Sequence, residues 1–311
     1  MKKILLTGAT GFVGANLAKT LVQNGYEVNI LSRNSSNMWR LEEIYDKLID
    51  WKVDLLEKDK LKRVIEEIKP EYICHLAIYG GYPNQKDEKK IIETNFIGTI
   101  NLLEALENID FKCFINTGSS SEYGMKSKKM NEEDMCNPIT PYGIAKLSST
   151  LYCNYKSLEL NKNIGTLRLF SPYGDFEENG RLIPSLFTKL LKNENVDLAN
   201  PLAARDFIYI KDVIELYLKI LDKPELIKGE IFNVCSGQQG TVGKVAQYVK
   251  EIVASKGQLN YGNLEGRKFD TNIWVGDCEK ISKIYNWKPQ YSLKNGLLET
   301  YKWYKKNLEK Y

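Results

Sequence analysis

One octapeptide constrains this chain more than any other: TGATGFVG, residues 7–14, wedged between the apolar run KILLT (3–7) and an apolar-periodic segment over 12–24. The spacing GxxGxxG at Gly8, Gly11 and Gly14 lets the backbone turn tightly at a strand end and lie close against a ligand. The segment that follows predicts a helix whose first N–H groups point back into the turn, where an anion is stabilised. Strand, glycine turn and helix in that order predict a dinucleotide pyrophosphate site. Gly8, Thr10, Gly11, Phe12, Val13 and Gly14 would lie against the cofactor.

The alternation continues down the chain. EVNILS (27–32), IDWKVD (49–54), YICHLA (72–77), FKCFINT (111–117) and IGTLRLF (164–170) read as strands, with helices expected over 57–68, 88–108 and 141–161. Strands separated by helices of this length predict a parallel sheet covered on both faces by right-handed crossovers. The fold class is therefore α/β: a Rossmann-like doubly wound parallel sheet, with a smaller α/β C-terminal lobe for the substrate. The rhythm loosens after residue 171, which divides the chain into a dinucleotide-binding domain, 1–171, and a substrate-binding lobe, 172–311, partly interleaved with the first. Helices are expected in that lobe over 182–193, 211–222, 241–255 and 293–308.

Composition narrows the function by exclusion. A net charge of +4 over 311 residues, with lysines interleaved among glutamates, offers no footprint for nucleic acid. No apolar run is long enough to span a membrane, and the N-terminal apolar stretch is too short for a secretion signal, so a cytoplasmic protein is expected. Cys74, Cys113, Cys136, Cys153, Cys235 and Cys278 follow no metal-ligand spacing and read as reduced thiols, several of them in apolar runs. His75 is the only histidine, which argues against a His-rich metal site and against a Ser-His-Asp triad.

Two further stretches carry chemistry. The second strand ends in Ser32-Arg33, where an NAD-selective site would place an acid on the ribose hydroxyls. A guanidinium there can pair with a 2′-phosphate in fork geometry, which favours NADPH/NADP; the alternative is NAD, with Arg33 a surface arginine stacking on adenine. Asp54, after the third strand, could meet the adenine amino group. Further on, YGIAK (142–146) puts Tyr142 and Lys146 at i and i+4 on one helical face. A neighbouring ammonium favours the phenolate, so Tyr142 could exchange a proton near neutrality.

TGATGFVG, VDLL, HLA (75–77), ETNFIGT, TGSSSEYG (117–124), YGIAK, TLRLFSPYG and RDFIYIKDV together resemble the extended short-chain dehydrogenase/reductase family, in its nucleotide-sugar branch of epimerases, dehydratases and reductases. The resemblance implies hydride transfer between a nicotinamide and a sugar carbon. Tyr142 would exchange the proton on that carbon's oxygen, Ser119 would hydrogen-bond the same oxygen, and Lys146 would bind the nicotinamide ribose. It also implies cofactor contacts from Ser32, Arg33, Asp54, Leu55, Leu76, Ala77 and Asn95, with Asn95 holding the backbone near the site. Ser120 and Ser121 would line the sugar pocket. Arg205, followed by Asp206, matches the segment that approaches the substrate diphosphate, and Arg181, Asn233 and Arg267 are further substrate candidates. His75 falls where the family has a structural residue. SPYG at 171–174 departs from the commoner Asn-Val-Tyr-Gly-Pro form.

The serine run discriminates among reactions. Relatives that remove water from the sugar carry an Asp-Glu pair directly after the catalytic hydroxyl, where this chain has Ser120 and Ser121. A hydroxyl cannot abstract a carbon-bound proton in their place. Glu122 comes one position too late and is expected to point elsewhere. The remaining readings are an NADPH-dependent nucleotide-sugar 4-ketoreductase, favoured by Ser32-Arg33 and by a resemblance of SRNSSNMWRL to CDP-6-deoxy-4-ketohexose reductases, and an NAD-retaining 4-epimerase. A non-catalytic nucleotide-binding relative would predict a broken Tyr/Lys pair. By analogy with the family, a homodimer is expected through helices 88–108 and 141–161.

Overall fold

The computed structural model describes residues 2–82, 84–266 and 270–311. In chain order, β1 (Lys3–Thr7), α1 (Phe12–Gln23), β2 (Glu27–Ser32), β3 (Leu48–Lys52), α2 (Lys58–Ile68), β4 (Tyr72–His75), α3 (Glu88–Ile92), α4 (Gly98–Ala105), β5 (Cys113–Ser119), α5 (Pro141–Leu160) and β6 (Ile164–Leu169) build the first part. There follow β7 (Ser171–Tyr173), α6 (Leu182–Leu190), β8 (Val196–Leu198), β9 (Ala204–Tyr209), α7 (Ile210–Asp222), β10 (Ile231–Val234), β11 (Gln239–Thr241), α8 (Val242–Val253), β12 (Leu259–Tyr261), α9 (Glu279–Tyr285) and α10 (Leu293–Lys306).

The main sheet runs β10-β6-β5-β4-β1-β2-β3, and β1 to β6 pair in parallel. The chain winds outward from β1 in one direction and from β4 in the other, so a crevice opens at the carboxyl ends of β1 and β4. Ile4, Leu5 and Leu6 of β1 and Ile73 and Cys74 of β4 are wholly buried, as strands covered on both faces require. Leu61, Ile65 and Ile68, spaced along one face of α2, join Leu102, Leu103 and Leu106 in a common core. That helix stops at Lys69, which takes the left-handed conformation just before Pro70.

Four elements of the first part depart from the sequence reading. The helix expected over 88–108 is divided by a π turn, Glu93–Ile97, between α3 and α4. There the Asn95 carbonyl accepts from the hydroxyls of Thr99 and of Ser149 on α5, which draws it out of the regular ladder. The strand expected over 72–77 ends at His75, because the N–H groups of Leu76 and Ala77 both turn to the Thr7 hydroxyl. The strand expected over 49–54 runs from Leu48 to Lys52, and β5 starts and ends two residues later than read, closing on Ser119.

The chain also divides differently from 1–171 and 172–311. One compact unit holds Met1–Gly124, Met135–Leu169 and Ile214–Phe232; the other holds Met125–Asp134, Phe170–Val213 and Asn233–Tyr311. Residues 214–232 return to the first unit because Tyr217 bonds Thr117 at 2.6 Å and Gly165 packs on Ile227. Residues 125–134 join the second because Met130 bridges to Gly276 and its carbonyl takes the Asn233 amide. The second unit has its own small sheets, β11-β9-β7 and β12-β8, and an aromatic core including Tyr173, Tyr209, Phe187 and Tyr304.

Candidate active site

The glycine turn is shaped by what surrounds it. Gly8 has φ +69, and a Cβ there would lie 2.5 Å from the Leu76 carbonyl at the end of β4. A Cβ on Gly14 would fall on the Gly8 carbonyl oxygen. Only glycine lets β1, β4 and α1 converge this closely. Gly11 caps α1 with no side-chain hydrogen bond, and no acid occupies the first turn, so the leading N–H groups face the crevice with nothing negative to oppose a phosphate. The Phe12 side chain turns into the core, which leaves only its backbone at the turn.

A buried polar chain ties this turn to the helix carrying Tyr142 and Lys146. Thr7 Oγ1 lies 2.7 Å from His75 Nδ1, His75 Nε2 2.9 Å from Thr99 Oγ1, and Thr99 and Ser149 of α5 both donate to the Asn95 carbonyl. The amide of Asn95 is committed as well, to the carbonyls of Tyr79 and Ile91. Asn95 thus holds backbone and has no amide hydrogen left for a cofactor. His75 is likewise structural, its pKa pushed down to about 3, chiefly by burial.

Helix α5 starts at Thr140, whose hydroxyl accepts the Gly143 N–H, with Pro141 at its first position. A Cβ on Gly143 would come within 2.6 Å of the Ser121 carbonyl, so this glycine seats the first turn, with partly exposed Tyr142, directly on the serine run. Lys146, one turn on, is 1% exposed, and among the described residues no protein acceptor bonds its ammonium. Burial pushes its pKa down to about 8, against the pull of the Glu122 carboxylate.

Ser119, the last residue of β5, caps a short 3-10 turn over Ser120–Glu122. Its hydroxyl oxygen accepts the Ser121 N–H at 3.1 Å, which leaves the O–H hydrogen to be donated outward. Beneath it, Glu122 is wholly buried: Oε1 takes the Ser119 N–H at 2.8 Å, and Oε2 takes Thr150 Oγ1 at 3.0 Å and Arg168 Nε at 2.8 Å. Both oxygens are occupied inside the protein, so Glu122 fixes the serine run from below and does no proton transfer above it.

At the end of β2, Ser32 is not available as expected. Its hydroxyl donates to Asp50 at 2.6 Å and accepts from Lys52 at 2.8 Å. The carboxylate absent from the β2 terminus is thus supplied by β3, where Asp50 pairs with Lys52 at 2.7 Å. Arg33 is exposed beside it. Arg40, from a 3-10 segment missed in the sequence, donates to the Thr10 carbonyl at 3.3 Å and stacks on Trp39. Asp54 accepts the Leu56 N–H, and Leu55 packs on Gly98.

Residues 4–235 match the NAD dependent epimerase/dehydratase family. The chain belongs to that family. It is 25% identical to the UDP-glucuronate 4-epimerase of Thermodesulfobacterium geofontis, covering 98% of this chain and 97% of that one. It is 26% identical to the CDP-abequose synthase of Salmonella muenchen, covering 95% and 96%. The crystal structure of UDP-glucuronic acid 4-epimerase from Bacillus cereus, in complex with UDP-glucuronic acid and NAD, is 26% identical and superposes with a TM-score of 0.89 over 98% of this chain and 99% of that one. A nicotinamide dinucleotide fits the epimerase/dehydratase crevice of this chain: the side-chain-free cradle at Gly8 and Gly14 and the buried, unbonded Lys146 ammonium are both shaped for a ligand.

In the second unit of this family member, Arg181 pairs with Glu177 at 3.0 Å, and Arg205 pairs with Asp270 at 2.6 Å with Trp274 under its guanidinium. Asn233 is wholly buried and gives its amide to the carbonyls of Met130 and Asp277. It is a structural clamp, which corrects its assignment to the substrate. Asp206 is structural too, accepting the N–H groups of Ser236, Gly237 and Gly276. Arg267 lies outside the described residues. Among the described residues no cluster of His, Cys, Asp and Glu is arranged to hold a metal, and no helix is long and apolar enough to cross a membrane.

Proposed function

We propose that this enzyme is a nucleotide-sugar 4-ketoreductase, using NADPH to reduce the 4-keto group of a CDP- or dTDP-linked 4-keto-6-deoxyhexose in deoxysugar biosynthesis in the cytoplasm. The observation that carries the reductase reading is the charge at the end of β2. Asp50 is paired with Lys52, and the guanidinium of Arg33 lies exposed beside that pair, which suits a 2′-phosphate. The bound nicotinamide supplies the hydride. Tyr142 gives its proton to the carbonyl oxygen, the Ser119 O–H holds that oxygen in place, and Lys146 binds the nicotinamide ribose and stabilises the phenolate left behind. Ser120 and Ser121 line the sugar. Dehydration is disfavoured because Glu122, the carboxylate nearest the serine run, has both oxygens bonded inside the protein.

A 4-epimerase is the second reading, and Asp50 favours it: a carboxylate at this edge could hold the ribose hydroxyls of a retained NAD. The two separate in one assay. Stoichiometric NADPH oxidation with a 4-keto-6-deoxysugar nucleotide supports the reductase; bound NAD, no net oxidation and interconversion of hexose epimers overturns it. Tyr142→Phe should abolish turnover while cofactor still binds. If Arg33→Ala leaves the preference for NADPH over NAD unchanged, the charge reasoning is wrong. A homodimer is supported by Ile144, Leu151, Tyr155 and Leu158, which form an exposed apolar stripe along α5.

A further inference from the structure

Within the second unit, two cysteines that the catalytic reading does not use lie side by side. Cys235 directly follows β10 and is wholly buried; Cys278 caps α9 and is half-buried. Each sulfur lies against the segment that carries the other, and the two thiols perturb each other's ionisation. Both segments are pinned to one carboxylate: Asp206 accepts from Ser236 and Gly237 on one side and from Gly276 on the other. Gly276 in turn packs on the Cys235 sulfur, and Gly237 on that of Cys278. The pair is therefore held in place by the fold, with Lys129, Asp277, Asp206 and Ser282 as its polar neighbours.

The two thiols are made unlike. The neighbouring Cys235 thiol and the ammonium of Lys129 bring Cys278 down to about 7, against burial and Asp206, whereas burial pushes Cys235 well up. Cys278 is the more exposed and the more readily ionised of the two, and Cys235 the buried thiol that keeps its proton, which are the properties of an attacking and a resolving cysteine. Cys74, Cys113 and Cys153 are wholly buried, and burial raises all three.

We propose that Cys278 and Cys235 form a hydroperoxide-reactive dithiol that closes reversibly to an intramolecular disulfide. The Cys278 thiolate attacks the terminal oxygen of the peroxide, the O–O bond breaks, and hydroxide or alkoxide leaves with the electron pair. Cys278 becomes a sulfenic acid. Cys235 then attacks that sulfur, its proton leaves with the hydroxyl as water, and the S–S bond forms; the two thiols are oxidised and the peroxide reduced. An external dithiol restores the pair.

The test uses the full chain, reduced, with one equivalent of hydrogen peroxide, followed by peptide mapping. The expected product is a Cys235–Cys278 cross-linked peptide, lighter by two hydrogens and reversed by dithiothreitol. Cys235→Ser should trap Cys278 as a dimedone-reactive sulfenic acid, and Cys278→Ser should give no cross-link. Cys278 over-oxidised without cross-linking, or another pair linked instead, overturns the proposal. Because Cys235 is in the core, a measurement on the unmodified chain stands beside the variants. At neutral pH iodoacetamide should alkylate Cys278 about tenfold faster in the folded chain than in urea. Equal or slower labelling also overturns it.

Discussion

His75 can be made to report on how the β1–β4 junction is built. The Thr7 hydroxyl already accepts the N–H groups of Leu76 and Ala77, both at 3.1 Å, so its own hydrogen must point to His75 Nδ1. Nε2 then carries the ring proton and donates to Thr99 Oγ1, whose hydrogen goes on to the Asn95 carbonyl. A second proton would have to sit on Nδ1, facing an oxygen whose acceptor capacity is spent. Burial, reinforced by the charge of Lys146, brings the folded pKa down to about 3 from 6.5. The unfolded chain therefore binds this proton first, and the folded state loses stability as pH falls from about 6.5 towards 3.

The loss between about pH 7 and about pH 5 amounts to about 2 kcal/mol. Glu177 and Asp206, raised by burial to about 7 and about 6, act in the opposite sense over the same window. The quantity to measure is therefore the difference between wild type and His75→Gln, in which those carboxyl groups cancel. Urea unfolding at the two pH values should show wild type losing about 2 kcal/mol relative to the variant. The one imidazole resonance should also hold its neutral position down to about pH 4. A difference that does not change with pH, or a resonance that titrates near 6.5, would refute the assigned network.

Three other outcomes are expected. Glu122→Ala leaves Arg168 buried without its carboxylate and should cost about 3–5 kcal/mol in denaturant titrations; it should also lower kcat, because Ser119 loses the acceptor for its N–H. Lys146→Met should bind nicotinamide dinucleotide poorly yet stabilise the free protein by up to about 3 kcal/mol, since an ammonium lowered to about 8 is strained by burial at neutral pH. By the same sign, wild type should gain stability as pH rises from about 8 to 10.5, and calorimetry across that range checks both. Leu151→Glu, on the exposed face of α5, should convert a dimer to a monomer in light scattering without loss of the folded far-ultraviolet signal.

The doubly wound sheet was legible because buried parallel strands must be near-continuous apolar runs, and those runs alternate with amphipathic helices in the first part of the chain. The glycine turn, the serine run and the Tyr142–Lys146 pair were legible because each occupies contiguous or one-turn spacing. Elements set by long-range partners were not. Residues 39–47 form a short 3-10 segment between two strands that the sequence reading passed over, so Arg40 was missed, although its guanidinium reaches the Thr10 carbonyl. Asp50 lies 18 residues from Ser32, and only strand pairing brings its carboxylate to the end of β2. The return of 214–232 to the first unit rests on contacts such as Tyr217 to Thr117, separated by 100 residues.

The errors at the candidate site share a cause, and it shows how such a site is better found. Asn233, Asp206, Ser32 and Asn95 are polar residues in stretches that resemble a functional family, and each is consumed by the protein itself. RDFIYIKDV is the sharpest case. Asp206 holds three backbone N–H groups and Asp212 holds those of Gln290 and Tyr291, so both carboxylates clamp loops from inside. A buried polar group must be paired, and most polar residues in any such stretch meet that demand internally. A ligand is left the groups whose pairing the fold leaves incomplete. In the first unit these include the O–H of Ser119 and the ammonium of Lys146, near Gly143, whose missing side chain seats the first turn of α5 on the Ser121 carbonyl.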